Sequence, residues 1–221
     1  MITLGLTGSI AMGKSTIGTM MRRLGIPVHE SDHTVHRLLK RNSEARPALA
    51  AAFPIYKYPE IYEKKTYALK RKEFGALIFN NEEYRKIVEA ILHPLVREDQ
   101  DNFKRICRLR RHNFACLDIP LLFETRAEER VDYTITASAP YLIQRQRVLA
   151  RQNMNEEKFE KILSRQMPDS EKCAQSDYVI KTGIGRAHSF KSLQVILDDI
   201  RKKEGLIPDP NEQEKALTIY Y

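Results

Sequence analysis

The chain has 221 residues, 42% of them hydrophobic and 30% charged, with a net charge of +8 and a sequence pI near 9.3. That length suits one well-cored domain or a core domain with an insertion, and the composition excludes a disordered chain. No apolar run approaches the roughly 20 residues that cross a bilayer, "MITLGLTGS" does not read as a secretion signal, and Cys107, Cys116 and Cys173 are too scattered for a metal knuckle or disulfide framework, so a cytoplasmic protein is expected.

Ile2 to Leu6 is predicted as a short buried strand stopped by glycine. "KSTIGTMMRRLG" follows with helical period, Ile17, Met20, Met21 and Leu24 sharing one face and Gly25 closing it. "IPVHES" is a second strand, and "DHTVHRLLKR" a helix that opens on an aspartate. From Asn42 to Leu69 no period holds; "FPIYKYPEIYEKKTY", with two prolines and four tyrosines, is expected to be irregular surface. "KEFGALIFNN" and "EEYRKIVEAILHPLVREDQDNFKRICRLRR" return to helix, the second expected to bend near Pro94. "NFACLDIPLLFE" holds a third strand ending near Asp118, "RVDYTITAS" a fourth and "SDYVIKTG" a fifth. Helices are predicted over "PYLIQRQRVLARQ", "NEEKFEKILSRQMP" and "RAHSFKSLQVILDDIRKK", with the last residues a loose tail.

Five apolar strands alternating with helices predict an α/β fold whose parallel sheet is covered on both faces. The expected organisation is a core of residues 1–31 and 113–206, a lid at about 145–168, an inserted helical lobe at 32–112, and a tail at 207–221.

Gly8 to Ser15 fits G-x-x-x-x-G-K-[ST] between a strand and a helix. Glycines let the backbone wrap a phosphate with its N–H groups inward, and the following helix adds the positive end of its dipole. Lys14 suits the β- and γ-phosphates, and Ser15 suits Mg²⁺. A chance glycine-rich turn would not come with this strand-before, helix-after context, so a nucleoside triphosphate site is expected. A regulatory GTPase would carry D-x-x-G and N-K-x-D, and neither is present: Asp118 is followed by "IPL".

A small-molecule kinase also needs a carboxylate for the acceptor hydroxyl and arginines that close over the phosphates. Asp32 follows the second strand, at the sheet edge where α/β folds bind ligands; it reads equally as a helix N-cap. Arg147 and Arg151, four apart, read as lid arginines or as a solvated basic face. The charge excess, dense in "FKRICRLRRHNF", fits a small polyanion or a nucleic-acid surface.

Together these residues resemble the dephospho-coenzyme A kinase family, from "LGLTGSIAMGKST" to "SDYVIKTG". The strings that carry the likeness are "ESDHTVHRLL", "EFGALIF" with "ILHPLVR", "LDIPLLFE" and "RQRVLARQNMNEEKFEKILSRQMP". The resemblance implies a three-layer P-loop kinase fold with a five-stranded parallel sheet, an inserted helical substrate lobe and a lid. It implies transfer of phosphate from ATP, with Mg²⁺, to the ribose 3′-hydroxyl of dephospho-CoA, the last step of CoA synthesis. ATP would contact Gly8, Ser9, Ile10, Ala11, Met12, Gly13, Lys14, Ser15, Thr16, Arg147, Arg151 and Thr182, with the metal on Ser15. The acceptor would contact Thr7, Asp32, His93, Asp118, Leu121, Leu122 and Glu124, and Asp32, Lys14 and Arg147 would be catalytic. Without the family, His93 reads equally as a histidine satisfied at a helix–proline bend, and Asp118 as a water-mediated Mg²⁺ partner. Ser9, Ala11 and Met12 stand where the family has more glycine, "KTG" replaces an Asn-rich segment, and residues 53–69 match poorly. The implied partners are two small molecules, with no nucleic acid, no membrane, and a monomer or weak homo-oligomer. The alternatives are a kinase for another nucleoside or nucleotide, and an ATP-dependent nucleic-acid or regulatory protein using "KRICRLRR".

Overall fold

The computed structural model describes residues 1–152 and 154–206. Asn153 and the predicted tail at 207–221 lie outside the described residues. Five strands, β1 (Ile2–Thr7), β2 (Val28–Glu30), β3 (Phe114–Asp118), β4 (Tyr133–Ser138) and β5 (Tyr178–Lys181), form one parallel sheet in the order β2-β3-β1-β4-β5. The described residues divide into two compact units, one made of Met1–His29 and the described residues from Lys104 onward, the other of Glu30–Phe103. No helix among the described residues is long and apolar enough to cross a membrane.

In the first unit the sheet reads as continuous apolar runs because both of its faces are covered; all five residues of β3 are buried. Helices α1 (Lys14–Arg23) and α9 (Arg186–Lys203) share a core with β1: Leu4, Leu6, Ile17, Met21, Leu193 and Ile200 are all fully buried. Thr7, the last residue of β1, sits beside β4, whose partner β5 brings Lys181 level with Ser138. Three strand ends therefore reach the same edge, and the loops that leave them build the site.

The second unit carries α2 (Ser31–Leu38), α3 (Arg46–Ala52), a 3₁₀ turn at Pro59–Ile61, α4 (Arg71–Asn80) and most of α5 (Glu82–Leu109). The stretch expected to be irregular, 42–69, thus contains a helix of seven residues and an antiparallel bridge, Tyr62 to Leu69. Its lack of period has a physical reason: a seven-residue helix needs only one buried side chain, Leu49, and the next anchors come from aromatic rings rather than a repeating stripe. Phe53 is the hub, edge-on to Phe74, Tyr84 and Tyr58 with centroids 5.3, 5.5 and 5.6 Å apart. Helix α5 runs unbroken through Pro94, which leaves the Ala90 carbonyl without its usual helical donor. A second short helix, α8 (Asp169–Gln175), was not foreseen either.

Phe53→Ala should cost about 3–5 kcal/mol, since a ring only 1% exposed leaves a cavity the neighbouring rings cannot fill. The urea midpoint is the check.

Candidate active site

The turn between β1 and α1 demands glycine at both ends. Gly8 has φ 152° and Gly13 φ 95°; a Cβ would lie 2.6 Å from the Ala137 carbonyl oxygen at the first and 2.8 Å from Thr182 Oγ1 at the second. Between them Ala11 also holds a left-handed φ of 60°, which a side chain adopts only under external constraint.

That constraint is supplied by residues far along the chain. Ile10 N–H donates to Gln166 Oε1 at 3.0 Å, and its carbonyl accepts from Gln144 Nε2 at 2.9 Å. Arg147 donates to the Ala11 carbonyl at 3.3 Å, to Thr182 Oγ1 at 3.1 Å and to the Thr182 carbonyl at 2.9 Å. The Thr182 hydroxyl in turn donates to the Met12 carbonyl at 2.5 Å. The loop's carbonyls are thereby tied down, while the amides of Ala11, Gly13, Lys14 and Ser15 have no acceptor among the described residues. Open amides at a helix N-terminus form a concavity for an anion, and the α1 dipole adds to it.

Lys14 forms an ion pair with Asp118, at the end of β3, both largely shielded from water. Asp118 thus meets the loop lysine directly. Behind it, burial keeps the Cys116 thiol protonated, so Cys116 offers no nucleophile.

The segment after β3 is fixed by a buried cation. Lys172 of α8, with no exposed surface, pairs with Glu124 at 2.9 Å and donates to the Pro120 carbonyl at 3.0 Å. The same carbonyl accepts from the Thr7 hydroxyl at 3.1 Å, and Glu124 Oε1 also accepts from Met167 N–H at 2.8 Å. Thr7 and Leu122 have no exposed surface. The two therefore support this segment from behind instead of touching an acceptor, and Glu124 spends one oxygen on Lys172 and Met167. Leu121 is half-buried beside them.

Helix α6 (Tyr141–Leu149) carries Arg147 and is joined to α7 (Glu156–Leu163) by an Arg145–Glu156 ion pair at 2.5 Å and by Tyr141 stacked on Phe159 at 5.9 Å. The helix ends at Leu149, so Arg151 lies beyond it, exposed, and does not share a face with Arg147 as the spacing suggested.

Comparison with known proteins agrees with this geometry. The family model described as dephospho-CoA kinase matches residues 2–185. The chain belongs to the dephospho-CoA kinase family. A dephospho-CoA kinase of Mesorhizobium japonicum is 43% identical over 205 residues, covering 93% of this chain and all of that one. One from Agrobacterium fabrum is 45% identical over 200 residues, covering 90% and 98%. Among solved structures, TT1252 from Thermus thermophilus aligns with a TM-score of 0.72 at 29% identity, covering 90% and 97%. The dephospho-CoA kinase from Campylobacter jejuni aligns at 0.65 and 26%, covering 91% and 98%. As a member of this family the chain is a phosphotransferase.

The dephospho-CoA kinase candidates in the second unit have resolved local settings. The N-cap of α2 is Glu30, so Asp32 is not the cap; it stands exposed in the first helical turn. Its helix is held to α5 by Thr34 donating to Asp99 at 2.6 Å, Arg37 to Asp99 at 2.7 Å, and Gln100 to Ser31 at 2.9 Å. His93 is half-buried and its ring has no hydrogen-bond partner among the described residues, so its place beside Pro94 does not satisfy it. Gln144, Gln166 and Lys172 escaped the sequence reading. Gln144 was findable: it sits four residues before buried Val148, a polar residue on an apolar face. Lys172 had no such signal, because α8 is too short for a period.

Thr182→Val should leave Met12 O and Arg147 short of a partner, costing about 1–3 kcal/mol and raising KM for ATP more than KM for the acceptor in steady-state assays. Lys172→Met should cost about 1–3 kcal/mol by leaving the half-buried Glu124 carboxylate without its cation, and Lys172→Met with Glu124→Gln should recover part of it in thermal melts.

Proposed function

We propose that this chain transfers the γ-phosphoryl group of ATP to the ribose 3′-hydroxyl of dephospho-CoA, releasing CoA and ADP, with Asp32 as the group that orients the hydroxyl and takes its proton. The observation that carries the reading is the phosphate loop, with its four open amides at the head of α1 and Lys14 beside them. Phosphoryl transfer through a loose transition state asks for little covalent chemistry from the protein, so position and charge supply most of the acceleration.

The roles divide accordingly. The amides of Ala11, Gly13, Lys14 and Ser15 hold the phosphate tail, and Ser9, Ile10 and Thr16 shape the loop around it. Lys14 leaves Asp118 to bridge the β- and γ-oxygens as charge builds there. Arg147 spends three of its five donors on the loop and Thr182; the remaining two face the nucleotide, with Arg151 joining from beyond α6. Asp32, exposed and anchored through α2, meets the acceptor sugar, while His93, Asp118, Leu121 and Glu124 line the acceptor's path. A leaving proton on the 3′-oxygen passes to Asp32 late in the transfer, when the oxygen has lost most of its basicity. Closure of the lid excludes water, so that ATP is not simply hydrolysed.

Mg²⁺ fits the donors present. The Ser15 hydroxyl is exposed in the first turn of α1, and Asp118 is a carboxylate reachable through water; both are hard oxygen donors. No cluster of three or more His, Cys, Asp or Glu among the described residues could hold a metal alone, which suits an ion that takes most of its ligands from phosphates and water. When bound, it would neutralise the phosphate charge. The enzyme would act in the cytoplasm as a monomer or weak homo-oligomer on these two small molecules.

A coupled ADP-release assay with dephospho-CoA against a panel of nucleosides tests the acceptor; turnover on a nucleoside and none on dephospho-CoA would reject it. Asp32→Asn should lower kcat by about 10²- to 10⁴-fold with ATP affinity unchanged. Near-normal turnover would remove Asp32 from the chemistry.

A further inference from the structure

Helix α5 enters the first unit at Lys104 and ends at Leu109, shortly before β3. Strand β3 runs parallel to β1 with Phe114 level with Ile2, so this helix end sits at the sheet edge where those strands begin. The phosphate loop sits at the other edge, where β1 ends. Residues 102–113 hold five lysines and arginines and no acid, and none of them takes part in the reaction above.

Arg105, Arg108, Arg110 and Arg111 are exposed, and none of the four donates a side-chain hydrogen bond or forms an ion pair among the described residues. Other arginines of the chain do find carboxylates: Arg37 meets Asp99, Arg126 meets Glu129, and Arg145 meets Glu156. The dipole of α5 favours a cation in its last turn, which covers Arg108 but not Arg105 before it. Like charges three apart on a helix also repel. The apolar residues are equally unexpected. Leu109 is 72% and Ile106 42% exposed, while Cys107 between them is buried. Folding does not explain this cluster.

At about 100° per residue, the exposed arc reads Arg108, Arg105, Leu109, Ile106, Arg110 in order around the helix. Arg110 continues the last turn, its N–H donating to the Ile106 carbonyl at 3.0 Å. Aliphatic side chains thus fill the middle of the arc and guanidinium groups stand on both rims. A nucleic acid would engage the arginines but has no use for the aliphatic centre, and residues 104–113 offer no Phe, Tyr or Trp for a base to stack on. A bilayer surface of negative charge matches both parts: its phosphates suit the arginines, and the boundary beneath them suits leucine and isoleucine.

We propose that the C-terminal end of α5 is a docking surface for an anionic lipid membrane. Leu109 and Ile106 enter the headgroup–acyl boundary, and the four arginines grip lipid phosphates. The contact is peripheral, lies at the sheet edge away from the phosphate loop, and does not rest on the identity of the acceptor.

Vesicle co-sedimentation of the full chain tests this, using phosphatidylcholine alone and phosphatidylcholine with about one-third phosphatidylglycerol. ADP in excess keeps lipid phosphate off the loop. The chain should bind the anionic vesicles, leave them at high salt, and ignore the neutral ones. Leu109→Ser should weaken binding about tenfold, and Arg105→Gln with Arg108→Gln about tenfold or more. Lys64→Gln with Lys65→Gln removes the same charge at another exposed place and should bind like the parent. All five positions are exposed, so thermal melts and turnover should be unchanged. The proposal is overturned if the anionic vesicles do not bind, if Leu109→Ser binds like the parent, or if the lysine variant weakens binding as much as the arginine variant. It is also overturned if single-stranded RNA binds more tightly than the vesicles, through the same arginines and without Leu109; the surface would then be a nucleic-acid interface.

Discussion

The first unit depends on keeping one loop in a backbone conformation it would not choose. Gly8, Ala11 and Gly13 all hold left-handed φ values within six residues, and a free peptide would relax out of such a turn. What holds it is a set of hydrogen bonds to its carbonyls from Gln144, Arg147 and Thr182. Using up the carbonyls is what leaves the amides for an anion. The arrangement is electrostatic preorganisation in a simple form: the dipoles are oriented during folding, so little reorganisation remains when charge arrives.

The same economy appears in how Arg147 is used. An arginine beside a phosphate loop could be held free to swing onto an anion; this one is already engaged with Ala11 and Thr182. Helix α6, the end of β5 and the loop therefore share one hydrogen-bonded hub. Any shift of α6 is felt at Ala11, which couples the position of that helix to loop geometry without a further device.

Lys172 and Glu124 show the other way a polar group is used inside the unit. A buried ion pair contributes little net stability, because desolvation offsets the attraction. It is demanding about geometry, however. With Pro120, Thr7 and Met167 also bonded to the pair or its carbonyl neighbour, only one course of the chain after β3 satisfies all of them. The second unit achieves order differently, by edge-on aromatic packing around Phe53 and by polar ties between α2 and α5.

The five strands, the long helices and the phosphate loop leading into α1 at Lys14 were legible in the sequence because each is written in neighbouring residues: an apolar run, a 3.6-residue period, or glycines at a fixed spacing before a lysine. Helices α3 and α8 were not, since seven residues are too few for a period to emerge. The end of α6 before Arg151 was missed because four-residue spacing says nothing about where a helix stops. Only the tertiary structure could pair Lys14 with Asp118, 104 residues away, Ile10 with Gln166 across 156, and Met12 with Thr182 across 170. Such partners are chosen by which strand ends the sheet brings to one edge. Local sequence determines backbone preference and therefore elements; the closing of long loops, stabilised only when the whole core forms, decides which polar groups meet.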